Sequence, residues 1–133
     1  MNDNQRAVAE SCLKSAYDGR MDFPSIVGAL VAAGFDGYAV DYRCKTAAYY
    51  LPSGESLVLD LPADDVTVAI GFDAPAVKRA IGEAQRGEPG YTYEGFCQKV
   101  KAAGCAGYFV SFPGRRVLYI GRTAETHVEH FPD

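Results

Sequence analysis

The sequence predicts an α+β fold built from two related halves, each an ααβββ unit with antiparallel strands. Three observations predict it. The word AAGxxGYxV is written twice, at residues 32–40 and 102–110. Residues 23–63 pair with 93–133 at a constant offset of 70, without a gap, and ten of those 41 pairs are identical. Ordinary residue frequencies would give roughly two or three matches. Within each half, apolar residues first recur at helical spacing and then alternate at strand period.

The elements follow in order. Residues 4–18 read as a helix, since Val8, Cys12, Ala16 and Ala9, Leu13, Tyr17 recur at helical spacing. Asp3 is its expected N-cap and Gly19 its left-handed stop. Residues 24–33 read as a second helix, with Pro24 in the first turn, where the missing amide costs nothing. Gly34, like its counterpart Gly104, permits the positive-φ exit. Strands follow at 37–42, 46–51 and 55–61, with a turn at 52–54. Residues 66–70 have no counterpart and read as a short extra strand or a connector. The second half repeats the pattern. Its helices are 73–86, behind Asp73 and Pro75, and 93–103, behind Thr92. Its strands lie near 107–112, 115–121 and 125–131, with a tight turn at Pro113-Gly114. The upstream helices also correspond, residues 8–19 with 74–87, at an offset of 68. The expected organisation is a single domain over 1–133, with a first repeat at about 4–63, a connector at 64–72 and a second repeat at about 73–133.

Composition excludes several classes of partner. With 13 Lys plus Arg against 17 Asp plus Glu, the net charge is −4, which gives no footprint for nucleic acid or an anionic membrane. The polar start MNDNQRAVAE has no signal-peptide core, and no apolar run approaches a membrane span. The expected compartment is the cytoplasm. Cys12, Cys44, Cys97 and Cys105 form no CxxC and no zinc-ligand spacing. They read as small apolar filler, with a structural disulfide or a catalytic thiol as the alternatives. No cofactor and no metal is expected. There is no GxSxG, P-loop, GxGxxG or HExxH, and Ser111 has no evident triad. Asp64-Asp65, beside Asp60, reads as a solvated loop.

Strand period assigns Tyr38, Val40, Tyr49 and their counterparts Tyr108, Val110, Tyr119 to the core. The opposite strand face differs between halves. It carries Ala39, Asp41, Ala48 and Tyr50 in the first, and Phe109, Ser111, Leu118 and Ile120 in the second. Three large apolar groups on one face predict a sheet covered on both sides, with Phe109, Leu118 and Ile120 mostly buried. Helices, the sister half or another subunit could supply the cover. If the monomer leaves them open, a homodimer should cover them.

The halves diverge most sharply in the last strand, where Leu57 and Leu59 correspond to His127 and Glu129. Arg116, Arg122, Glu125 and His130 lie nearby in sequence. Strand period puts Glu125, His127 and Glu129 on one face and His130 on the other. A histidine between carboxylates suits acid–base work or a divalent cation, and the arginines suit an anion. The competing reading is a solvated edge strand whose charges prevent edge-to-edge pairing. The expectation carried forward is a polar cleft of Glu125, His127 and Glu129 with Arg116 or Arg122.

The stretch AQRGEPGYTYEGFCQKVKAAGCAGYFVSFPGRRVLYIGRTAETHVEHFP resembles the body of the YbcV/YdfO-like prophage proteins, domain of unknown function 1398, sometimes labelled phage envelope protein. The first half supports it with FPSIVGALVAAGFDGYAVDYRCKTAAYYLPSGE. Where glycine is more usual in that family, this chain has Ala124. The resemblance implies a soluble bacterial or prophage α+β protein, and no activity, cofactor or catalytic residue. The leading functional expectation is a non-enzymatic binding or interaction module. A small-molecule-binding protein or enzyme with a polar pocket around His127 and Glu129 is the alternative. A phage structural component is the third.

Overall fold

The first helix, α1 (Asp3–Tyr17), is capped by Asn2 rather than by Asp3. The Asn2 side chain accepts from the Gln5 amide, and the Gln5 side chain accepts from the Asn2 amide. This reciprocal box satisfies two otherwise unpaired amides, and it leaves Asp3 in the first turn, where its carboxylate faces the positive helix end. Asp22 caps α2 (Phe23–Ala32), Asp73 caps α3 (Ala74–Arg86) and Thr92 caps α4 (Tyr93–Ala102). These come from a computed structural model that describes residues 1–132. The second repeat and its last pair, Ala63 with Asp133, therefore end one residue outside the described range.

Six strands form one sheet: β1 (Gly37–Asp41), β2 (Thr46–Tyr50), β3 (Ser56–Asp60), β4 (Cys105–Ser111), β5 (Arg116–Gly121) and β6 (Thr126–His130). Their order is β3-β2-β1-β4-β5-β6, and every neighbouring pair is antiparallel. The fold is α+β. Residues 66–70 are a connector and not a strand. It is held by the Ala69 amide on the Lys101 carbonyl, at 3.0 Å, and by the Arg122 guanidinium on the Val68 carbonyl, at 2.9 Å.

The two halves join along β1 and β4, and the register of this seam is symmetrical. Ala39 lies opposite Phe109, its own counterpart at an offset of 70. Tyr38 lies opposite Val110, and Val40 opposite Tyr108. Bonds beyond the strands match as well. The Tyr42 amide donates to the Ala106 carbonyl at 2.9 Å, and the Phe112 amide to the Asp36 carbonyl at 3.1 Å. The repeated GYxV finds its reason here. A Cβ on Gly37 would fall on the Val110 carbonyl oxygen, and one on Gly107 on the Val40 carbonyl oxygen. The tyrosine and valine of each word, Tyr38, Val40, Tyr108 and Val110, point to the other side, into the core.

All four helices pack on that side. Tyr38, Val40, Tyr49, Tyr108, Val110 and Tyr119 are buried against Ala9, Cys12, Leu30, Val77, Phe96 and Val100. The halves interlock above the sheet. Phe23 of α2 meets Phe131 edge-on at 5.8 Å, and Tyr17 of α1 meets Tyr93 of α4 edge-on at 5.0 Å. Three of the four free cysteines lie in this core, and Cys44 is exposed in the β1–β2 turn, so it is not filler.

The expectation of a sheet covered on both sides fails for the monomer. Phe109 is 40% exposed, Ile120 is 37% exposed and Leu118 is half-buried. The halves meet edge to edge through β1 and β4, so neither can lie over the other's outer face. An antiparallel sheet tolerates one open face, whereas parallel sheets are covered on both.

Candidate functional site

The register of β6 decides where its polar side chains go. Glu129 lies opposite Val117 and His127 opposite Tyr119, so both share the helix-covered face at the outer edge of the sheet. Side chains two apart on one strand face are neighbours. His127 Nε2 stands 2.8 Å from Glu129 Oε2, and the imidazole tilts against the Tyr119 ring at 6.3 Å. Both remain partly open to water, with side chains 17% and 32% exposed. The exchange of Leu57 and Leu59 for this pair is accommodated because β6 is an edge strand. The pair satisfies itself while its outer atoms keep water.

The other four candidates do not join it. Glu125 lies in the turn before β6 and accepts from the Thr123 hydroxyl at 2.7 Å. Arg122 is committed to the connector through Val68. Arg116 and His130 are cross-strand partners on the opposite, open face, and Arg116 Nε donates to the Gly114 carbonyl at 3.1 Å. The expected cleft of Glu125, His127 and Glu129 with Arg116 or Arg122 is thus reduced to a two-residue pair. The chain direction explains this: only residues 127 and 129 of β6 alternate toward the helices, and Glu125 precedes the strand. Among the described residues, no three His, Cys, Asp or Glu side chains cluster as a metal would require.

A second polar cluster escaped the sequence reading. Lys101 of α4 reaches under the connector, and its Nζ donates to Asp64 at 2.6 and 2.5 Å. The two side chains are only 8% and 15% exposed, so Asp64 is no solvated loop residue. The Lys101 ammonium holds the Asp64 carboxyl below the usual range and sits 5.6 Å from the centre of the Tyr42 ring. The Tyr42 hydroxyl is buried without a hydrogen-bond partner among the described residues. Cys97 lies beside it, 3.9 Å from the Tyr17 hydroxyl, and burial pushes its thiol up. Burial likewise holds Tyr42, Tyr93 and Tyr108 protonated, the last two joined hydroxyl to hydroxyl at 2.5 Å. The cluster ties α4 to the connector and prepares no nucleophile. Comparison of the halves held its signal, since Lys101 corresponds to Val31 and Cys97 to Val27. A shallow groove of about 500 Å³ adjoins it, between Leu13 and Tyr17 of α1 and Leu59–Pro62.

The open face of the sheet is an organised surface of a different kind. Registers align its outward residues in three rows that cross all six strands. The central row reads Val58, Ala48, Ala39, Phe109, Leu118, Val128 and is apolar from edge to edge. One flanking row ends in Arg116 and His130, on β5 and β6. The other begins with Asp60 on β3 and includes Asp41 on β1. Among the described residues, five of the nine exposed large apolar side chains lie on this face: Tyr50, Val58, Phe109, Ile120 and Val128. Such concentration marks an interaction surface more than scattered exposure does.

No protein-family model and no curated protein matches this chain. No helix among the described residues is long and apolar enough to cross a membrane.

Proposed function

We propose that the protein is a non-enzymatic interaction module whose working surface is the open face of the sheet, and that it forms a homodimer through the apolar side chains of the second repeat on that face. The observation that carries this reading is the unbroken apolar row from Val58 to Val128. Phe109, Leu118 and Ile120 give the second half the larger share of it, which favours contact centred there. Nothing comparable supports chemistry. The His127–Glu129 pair stands apart from Arg116 and Arg122, and the buried thiols are shifted toward their protonated form. The resemblance to prophage proteins of the YbcV/YdfO type fits a small module of this kind and belongs to the proposal. Four free thiols fit a reducing compartment, so the cytoplasm is the proposed setting.

Sedimentation tests the reading. Wild-type protein is expected to show a concentration-dependent dimer, and Leu118→Lys a monomer with an unchanged circular dichroism spectrum. A dimer that survives Leu118→Lys places the contact elsewhere and ends the reading.

A further inference from the structure

The two halves of the open face correspond in strand register and oppose each other in charge at their outer corners. Asp60, at the β3 corner, has as its counterpart His130, at the diagonally opposite β6 corner. Thr46, the cross-strand partner of Asp60, has as its counterpart Arg116, the cross-strand partner of His130. Asp41, in the same row as Asp60, is occupied by the Arg43 and Cys44 amides of its own turn and lies beside the Arg43 charge, so Asp60 is the carboxylate of this corner without an ion-pair partner among the described residues. At the other corner, Arg116 is anchored through Nε, and among the described residues its terminal nitrogens carry no further hydrogen bond.

A face with an acidic and a basic corner on one diagonal complements itself. When two copies are laid face to face about a twofold axis in the interface plane, each acidic corner can lie over the other copy's basic corner. The contact then occurs twice, as an isologous interface requires. We infer that the occupant of the open face is a second copy of this chain, docked so that Asp60 of each copy meets Arg116 and His130 of the other. The inference rests on the homodimer proposed above and adds its orientation.

The size of the face sets the strength of the contact. Six strands at about 4.8 Å spacing and five residues at about 3.4 Å each give a plane of roughly 24 by 17 Å, or about 400 Å² per copy. Side-chain relief raises the accessible area above that plane, which brings both copies together near the lower end of specific interfaces, at about 1,000–1,200 Å² in total. A contact of that size is a weak, reversible dimer. Charge pairing then decides between the possible orientations of two apolar rows.

Charge reversal tests the orientation. Asp60→Lys alone and Arg116→Glu alone each set like charges against each other at both corners, and each is expected to weaken dimerisation about tenfold at low salt, with the difference shrinking as salt is added. The double variant Asp60→Lys/Arg116→Glu restores opposite charges and is expected to dimerise like wild type. An equimolar mixture of the two single variants is expected to form a heterodimer in preference to either homodimer, because each then meets its opposite at both corners. Both substitutions are at exposed strand positions, and recovery in the double variant and in the mixture rules out misfolding as the cause of the loss. If both single variants dimerise like wild type while Leu118→Lys dissociates the dimer, the orientation is wrong and the face reading stands. If the wild type is monomeric at every concentration, or if its dimer survives Leu118→Lys, the face reading fails and the orientation with it.

Discussion

Ala124 holds a φ of 67°, whereas its counterpart Gly54 holds 92° in the equivalent turn. The left-handed region costs a residue with a Cβ roughly 1–2 kcal/mol, and glycine loses part of that advantage to its freer unfolded chain. Ala124→Gly is therefore expected to stabilise the protein by about 0.5–1 kcal/mol, read as an upward shift of the urea midpoint with unchanged slope. Gly107 is the opposite case. It is confined by space at the seam, since a Cβ there meets the Val40 carbonyl oxygen across the β1–β4 boundary. Gly107→Ala forces those strands apart and is expected to cost about 2–3 kcal/mol in the same measurement. A cost below that of an ordinary surface substitution would show that the seam can open without penalty. Both glycine counterparts of the repeated word are thus explained by position, one pair by exit from a helix and the other by the approach of two strands.

The connector and β6 are the elements in which the halves differ most. The connector is clamped by Lys101 and Asp64, and breaking so enclosed a pair leaves the other charge without its partner. Asp64→Asn is expected to destabilise by about 2–3 kcal/mol at neutral pH, below the full figure for a fully buried pair because Asp64 keeps some contact with water. The pH dependence has a definite sign. Lys101 lowers the folded-state pKa of Asp64, so the pair's contribution is complete above the unfolded carboxylate value of about 3.9 and is lost as pH falls through the lowered folded value. Wild type and Asp64→Asn should accordingly converge in stability in acid. A gap that stays constant with pH would mean that the pair contributes through packing alone. In β6, the pair His127–Glu129 occupies the helix-covered side at the sheet edge, where Leu57 and Leu59 sit in β3. His127→Leu/Glu129→Leu is expected to keep the fold and add about 1 kcal/mol, since apolar burial replaces a half-solvated polar pair. Loss of folding instead would show that the pair organises more of the edge than its single contact suggests.

At the scale of the molecule, the decisive feature is that four helices cover one face of a six-stranded sheet and leave the other open. A sheet made of two halves joined edge to edge has twice the outer face of either half and no internal means of covering it. The proposed dimer is the simplest cover, and a contact of this modest size with no deep anchoring pocket is expected to dissociate in the micromolar range or above. Substituting Phe109, at the centre of the apolar row, by Lys should abolish it as Leu118→Lys does, while a substitution on the helix layer, such as Glu10→Lys, should leave sedimentation unchanged.

Helices, strands and their order were legible in the sequence because each is a local matter of period, caps and turn residues. The offset of 70 carried the correspondence between halves, and the buried tyrosines at 38, 49, 108 and 119 followed from alternation alone. Local pattern could also show that Phe109, Leu118 and Ile120 share a face, and that His127 and Glu129 share one. It could not show what lies over either. Whether two halves stack or join at an edge depends on which strands pair, and the pairing of β1 with β4 spans some seventy residues of chain. That choice left the second face open. The β5–β6 register then put Arg116 beside His130, away from His127 and Glu129, and the path of the connector brought Asp64 to Lys101. The sequence by itself determined the units. Only the tertiary structure decided how they meet, because contacts between distant residues leave no period along the chain.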